Sequence, residues 1–176
     1  MPAYIHSSKP FLIRDATRLD IPAIMRLKVE LALIDDSLVA VQATAADWER
    51  DGFGAAAHFD IFVAEWAGRT VGIAICGVRH VPGWVGPTIV LYDFCVEKKY
   101  RCRGIGTALL GRVAEFAHRR NSVMVELTMR AGNRASRLYE RVGFACVAEA
   151  RHYVIAGDAL ERLAAPAAKP AERMAG

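Results

Sequence analysis

The stretch VEKKYRCRGIGTALL, residues 96–110, joins the end of an apolar strand to the start of a helix. Two glycines separated by Ile105 stand at the helix entrance, and four cationic side chains precede them. Cations, backbone N–H groups that glycine leaves uncovered, and the positive end of a helix dipole all attract anions. The stretch therefore predicts an anion-binding turn, with a basic surface turn shaped by glycine as the plainer alternative.

The bulk properties favour one buried core and exclude several classes of protein. The chain has 176 residues, of which 53% are hydrophobic. No apolar run approaches the ~20 residues that cross a bilayer, and the first ten residues lack an apolar signal core, so we expect a cytoplasmic location and no membrane partner. The four scattered cysteines predict free thiols and no metal site. A net charge of +4 permits an anionic ligand but does not indicate nucleic acid.

Alternating apolar and amphipathic segments predict a mixed α/β domain around one sheet, in the order βααβββαβαββ. We expect this single domain to span residues 11–162. Apolar, β-branched runs at 60–66, 70–78 and 88–96 predict three central strands, the first two joined by a hairpin.

The ends of the elements carry further signals. Asp20, two residues before Pro22, is predicted to cap the first helix. The runs FACVAEA and RHYVI, residues 144–155, predict two closing strands. The segments 1–10 and 163–176 are expected to be flexible or loosely held.

Loops that bind nucleotides also contain closely spaced glycines, but the residues here do not match them. A dinucleotide fingerprint needs a third glycine where this chain has Leu109, and it needs a strand directly before Gly104, whereas residues 97–103 intervene. A Walker loop is excluded because no G-K-[ST] follows.

Two motifs together point to a known family. Arg101-x-x-Gly104-x-Gly106 matches the signature R/Q-x-x-G-x-G/A, and LYERVGF, residues 138–144, matches a second motif. The chain thus resembles the GNAT superfamily of N-acetyltransferases over most of its length. The resemblance implies the GNAT fold and acetyl-CoA as cosubstrate, with the pyrophosphate on the loop backbone and the pantetheine arm paired with the end of the strand at 88–96. The residues it implies in coenzyme binding are Phe94, Cys95, Val96, Arg101, Cys102, Arg103, Gly104, Ile105, Gly106, Thr107, Asn133 and Ala135.

Acetyl transfer to an amine needs a neutral amine, a stabilised oxyanion and a proton for the leaving thiolate. The resemblance implies Tyr139 as the general acid; by its helix position alone it would be a core aromatic. Asp93 is the candidate catalytic carboxylate that takes the amine's proton, directly or through a water. Backbone N–H groups near Cys95 or Val96 are expected to hold the oxyanion. Cys95 itself, on a strand with no adjacent His, is not expected to act as a nucleophile.

A narrower resemblance concerns the acceptor. DGFG, FVAE, PGWVG and YDFCVEKKYRCRGIG, starting at residues 51, 62, 82 and 92, are similar to the diamine acetyltransferase branch, which acetylates spermidine, spermine or thialysine. That branch has a glutamate, its proposed base, at position 92. The resemblance also implies a homodimer. The residues implied in acceptor binding are Glu30, Asp35, Asp36, Trp84 and Tyr92.

Several alternatives stay open at this point. The three acidic residues of that set equally fit a solvated helix face. Many GNAT relatives have Asn where this chain has Gly132, with Asn133 one step later. The acceptor is alternatively an amino acid or an aminoglycoside-like amine, and a protein of another class, a coenzyme-A-binding regulatory module without turnover, has the same motifs.

Overall fold

The computed structural model describes residues 10–34, 42–147, 155 and 157–164. The chain divides into two compact units, Met1–Gly143 and Phe144–Gly176, and this boundary falls inside the segment predicted as one domain. The elements of the first unit are β1 (Phe11–Asp15), α1 (Ile21–Ile34), α2 (Ala45–Phe53), β2 (Asp60–Trp66), β3 (Arg69–Arg79), β4 (Thr88–Val96), α3 (Ile105–Arg119), β5 (Met124–Leu127) and α4 (Ser136–Arg141). The second unit contains α5 (Asp158–Ala164).

One five-stranded sheet, in the order β1-β2-β3-β4-β5, organises the first unit. All neighbours are antiparallel except β4 and β5, which are parallel. The β4–β5 pairing ends where Leu91 meets Leu127, while β4 continues to Val96. Within the part of the chain that the structure describes, β4 therefore has an unpaired edge from Tyr92 to Val96. We call these five residues the open edge.

The two faces of the sheet are covered by different helices. On one face, Ile24 and Leu27 of α1 pack in a buried cluster with Ile73, Ile75 and Cys95. Successive residues of a strand point to opposite faces. On the other face, Phe62 meets Phe116 of α3, with ring centroids 5.6 Å apart. We call these the α1 face and the α3 face.

A β-bulge interrupts β4 at the start of the open edge. Ile75 of β3 pairs with Asp93, but the next residue, Cys76, pairs with Leu91, so Tyr92 is an extra residue on β4. Such a bulge bends the strand and re-aims its side chains, and bulges are frequent next to active sites.

Most predicted elements are confirmed. The strands predicted at 60–66 and 88–96 match β2 and β4, and the hairpin between β2 and β3 turns at Ala67 and Gly68, both with positive φ (49° and 76°). Two left-handed residues in succession are typical of a type I′ turn. The mixed α/β class is confirmed as well.

Two predictions at element ends differ from the structure. The carboxylate of Asp20 is bound by Arg14, Thr17 and Thr70 instead of capping α1. The first predicted closing strand does not form within residues 144–147, which are largely exposed. Residues 148–154 and 156, and with them most of the second closing strand, lie outside the described residues, as do the terminal segments 1–9 and 165–176.

Candidate active site

The glycine pair at the start of α3 has two separate roles. Gly104 is the N-cap of α3 in the left-handed region (φ 81°), and a Cβ there would meet open space. A Cβ on Gly106 would lie 3.0 Å from Leu138 Cδ2 and 3.4 Å from Phe94 Cζ. Gly104 thus leaves room for a ligand at the first helical N–H groups, which have no acceptor inside a helix. Gly106 instead allows α3 to pack closely on β4 and α4.

Arg101 ties the loop to the sheet and to α1. Its Nε donates to Val96 O at 2.7 Å, and its Nη2 donates to Glu30 Oε1 at 2.9 Å. The same Glu30 oxygen accepts from the backbone N of Lys98 at 3.1 Å. The Glu30 carboxylate, predicted to bind the amine acceptor, is therefore engaged with the loop.

Two other cationic loop residues, Arg103 and Lys99, lie over aromatic rings. The Arg103 guanidinium lies over the Trp66 ring, 5.3 Å from its centroid, and Lys99 Nζ lies 5.1 Å from the centroid of Tyr100. The rings of Trp66 and Tyr100 are in contact, with centroids 5.5 Å apart. Cys102 is exposed and left-handed (φ 59°), so the backbone turns sharply there.

The backbone of the open edge presents alternate residues to a ligand. Glu97 N donates to Val71 O at 2.9 Å, which continues the β3–β4 ladder. In an antiparallel ladder alternate residues bond the same neighbour, so Cys95 and Asp93 also direct their backbone groups to β3. Phe94 and Val96 direct theirs to the open side. Of the two residues expected to hold the oxyanion, Val96 therefore has the suitable direction and Cys95 does not.

Tyr139 lies on the α3 face beside the open edge. It is buried on α4, and its ring centroid is 5.9 Å from that of Phe94, with an interplanar angle of 56°. The turn before α4 is held by Asn133, whose Oδ1 accepts from Ala135 N at 2.9 Å. Asn133 and Ala135, two of the residues predicted to contact the coenzyme, thus lie in the turn that leads into α4 and Tyr139.

On the α1 face, Asp93 forms an ion pair that fills the space beside the bulge. Lys28 Nζ of α1 lies 2.6 Å from Asp93 Oδ1, and the two side chains are only 15% and 17% exposed. Tyr92, 55% exposed, lies across β3, because a Cβ on Gly77 would be 2.8 Å from Tyr92 Cε2. A phenol and a compensated carboxylate therefore border the site on this face.

Residues 57–146, just over half of the chain, match the family model described as an acetyltransferase (GNAT) domain. This chain belongs to the GNAT family of acetyltransferases. It is an acetyl-CoA-dependent N-acetyltransferase. The family and fold that the two motifs implied are thereby confirmed.

The names of two relatives and of one solved structure similar to this GNAT chain contain three kinds of amine acceptor. The chain is 39% identical over 114 residues to the human spermidine/spermine N(1)-acetyltransferase-like protein 1, covering 61% of this chain but 16% of that protein. It is 30% identical over 164 residues to the thialysine N-epsilon-acetyltransferase of Bos taurus, covering 87% and 96%. An aminoglycoside acetyltransferase from an uncultured soil metagenomic sample, solved with trehalose, has the same fold, with a TM-score of 0.72, 16% identity and coverage of 85% and 97%.

Other residues predicted in the site are not brought to it. Trp84 lies in the turn between β3 and β4, at the opposite end of β4 from the glycine loop, and it is exposed. Asp35 and Asp36 lie outside the described residues. Near the start of β2, a cavity of about 330 Å³ is lined by Asp60, Arg112 and Phe116 among others. None of the predicted site residues lines it.

The buried thiol of Cys95 is unsuited to a covalent route in this GNAT protein. Burial raises the pKa of Cys95 to about 12. The thiolate is the nucleophilic form, so almost none is present at neutral pH. Among the residues that the structure places, no group of three or more His, Cys, Asp and Glu could hold a metal ion. No helix in those segments has the length and apolar character of a membrane span.

Lys28 is a site residue that the sequence motifs do not predict. It follows the buried Ile24 by four residues and precedes the partly buried Leu31 by three, which is the spacing of one helix face. A lysine at a position that points toward the core is the signal that predicts a buried partner.

Proposed function

We propose that this GNAT protein transfers the acetyl group of acetyl-CoA to the primary amine of a small molecule, of the diamine or thialysine kind, by direct attack in a ternary complex. The open edge of β4 is the observation that carries this proposal. It lies between the glycine loop and Tyr139 on the α3 face and the bulge with Asp93 on the α1 face. A cosubstrate and an acceptor reaching it from opposite faces would meet at one point of the strand.

The loop and the open edge fit the coenzyme. Free helix N–H groups beside exposed cationic side chains suit a pyrophosphate. The backbone groups of Phe94 and the N–H of Val96 are directed to where an amide-containing arm can pair like a strand, while Val96 O is held by Arg101. Acetyl-CoA supplies the activated acetyl group, and the chain supplies its alignment.

Two groups of the chain support the chemistry. The Val96 N–H on the open side would donate to the acetyl oxygen as negative charge develops there. Tyr139 stands beside Phe94, and a phenol with a pKa near 10 can donate a proton to a departing thiolate.

The amine must lose a proton before or during attack. Asp93 can take this role through its Oδ2, because Lys28 binds Oδ1 and no hydrogen bond from the described residues engages Oδ2. We assign Asp93 as the proton acceptor, directly or through one water, since Tyr92 replaces the glutamate of the diamine branch and a neutral phenol is a poor base.

Mass spectrometry of acetylated product from acetyl-CoA and an amine panel tests the proposal. The panel holds putrescine, spermidine, spermine, thialysine, lysine and an aminoglycoside. Wild type should acetylate a diamine or thialysine, and Tyr139→Phe should lower kcat by about 100-fold or more because a general acid contributes that much. Tyr100→Phe is the matched control: it removes the same hydroxyl group from a tyrosine whose ring packs on Trp66 of β2 instead of on Phe94.

Three results would contradict the proposal. A Tyr139→Phe variant as active as Tyr100→Phe would remove the assigned acid. Turnover confined to the aminoglycoside would move the acceptor to the class named for the structural neighbour. Binding of acetyl-CoA without turnover of any amine would leave the alternative of a coenzyme-binding module.

A further inference from the structure

We propose that Lys28 is a specificity-determining residue: its ammonium occupies the Asp93 carboxylate and selects against acceptors that carry a second cation. The inference rests on the proposed function, because it takes the α1 face beside the bulge as the acceptor side. It deepens that function by choosing between its two acceptor kinds.

The geometry makes Lys28 a fixed part of this face. Its Nζ lies 2.6 Å from Asp93 Oδ1, and both side chains are largely buried. The stem of Lys28 emerges from α1 one turn after Ile24, which is fully buried in the core cluster. A lysine that packs its stem on apolar surface and ends on a carboxylate has little freedom to leave.

Two neighbouring carboxylates, on α1 and just after β4, are also paired with arginine side chains. Glu30 is paired with Arg101 at 2.9 Å. Glu97, 13% exposed, is paired with Arg26 at 2.9 Å and Arg69 at 3.0 Å. A second ammonium on the acceptor would thus meet paired carboxylates and the like charge of Lys28, and close like charges are repulsive.

The acceptor class follows from this charge balance. A polyamine places further ammonium groups near the one that reacts, and each would have to displace Lys28 or remain uncompensated. An aliphatic amine whose far end is uncharged or zwitterionic, such as the side-chain amine of a thialysine-like amino acid, brings no net second cation. The structure therefore favours that class over polyamines.

Matched acceptors of equal length test the inference. Pentylamine and 1,5-diaminopentane differ at one terminus, and the readout is the ratio of their kcat/KM values. We expect wild type to favour pentylamine, Lys28→Met and Lys28→Gln to raise the diamine's relative kcat/KM by at least about tenfold, mainly through KM, and Lys28→Arg to keep the wild-type preference. Thermal unfolding of each variant checks that it is folded, and the two neutral variants back each other.

A second measurement separates this inference from the proposed function. Calorimetry measures binding of both amines to the protein saturated with coenzyme A, where no turnover occurs. A shift of binding preference toward the diamine in the neutral variants supports the inference even if neither amine is acetylated, which would contradict only the proposed function. An unchanged preference in both neutral variants, by kinetics and by binding, would overturn the role of Lys28.

Discussion

Asp20 is a buried carboxylate, 4% exposed, that contacts β1, β3 and the turn before α1. Both Nη atoms of Arg14 donate to its oxygens, at 2.8 and 3.0 Å, and Thr70 Oγ1 donates at 2.6 Å. The backbone N of Thr17 adds a bond of 2.8 Å. Burial raises the pKa of the Asp20 carboxyl, but these donors outweigh it and hold the pKa well below its usual range. The residue therefore joins β1 to β3 as an ionised group.

Replacing Asp20 by Asn should lower the free energy of unfolding by about 2–3 kcal/mol, because Arg14 and Thr70 lose a charged acceptor at a buried position and an amide accepts fewer of their hydrogen bonds. Chemical denaturation at neutral pH measures the loss. Asp51→Asn is the control, since the Asp51–Arg50 pair lies on the surface and should matter little.

Comparing wild type with Asp20→Asn also tests how the stability depends on pH. A carboxyl whose pKa is depressed in the folded state contributes its full stability above the unfolded value near 3.9, and that contribution is lost as the pH falls through the folded value. Wild type should therefore lose more stability than Asp20→Asn below about pH 4. Parallel losses in the two proteins would show that Asp20 is not preferentially ionised in the folded state.

Helix α3 contains two glycines whose surroundings differ. A Cβ on Gly111 would meet nothing within 4 Å, whereas one on Gly106 would press on Leu138 and Phe94. Glycine in an exposed helix interior costs about 0.5–1 kcal/mol relative to alanine. Only at Gly106 does packing of the helix on β4 oppose this gain.

Gly111→Ala should accordingly raise the free energy of unfolding by about 0.5–1 kcal/mol. The free energy of unfolding of Gly106→Ala should be clearly lower than that of Gly111→Ala. Leu138 or Phe94 must move to admit the methyl group, and the first helical turn gains less from helix propensity. Urea denaturation of both variants gives the comparison. Equal stabilisation by the two substitutions would contradict the close packing at Gly106.

Elements of local origin were predictable, and long-range partners were not. β2, β4 and α3 follow from apolar periodicity and from glycine at the helix entrance, and the two motifs located the coenzyme side of the site. The partner of Asp93 depends on how α1 lies across the sheet, and no local pattern of Asp93 contains that information. Asp20 shows the same limit: its position fits a helix cap, but its carboxylate accepts from Arg14 and Thr17 nearby and from Thr70, 50 residues away.

The charge of the whole molecule is unevenly placed with respect to its cosubstrate. The net charge is +4, and four cationic residues lie within 98–103, just after the end of β4. Helix α3 starts beside them and carries Arg119 at its far end, about 20 Å away by the length of the helix. Acetyl-CoA is a polyanion, so the field near the loop should assist its binding, and the far cations should not.

Lys98→Gln should therefore raise the Kd for acetyl-CoA about threefold to tenfold at about 50 mM salt, the effect of one exposed charge a few ångströms from a phosphate. The Lys98 side chain is exposed, so the substitution should leave the fold intact. Arg119→Gln, the same change in net charge at the far end of α3, should leave the Kd nearly unchanged. At about 1 M salt, where screening acts within about 3 Å, Lys98→Gln and wild type should converge. Equal effects of the two substitutions would mean that net charge, and not the loop, attracts the coenzyme.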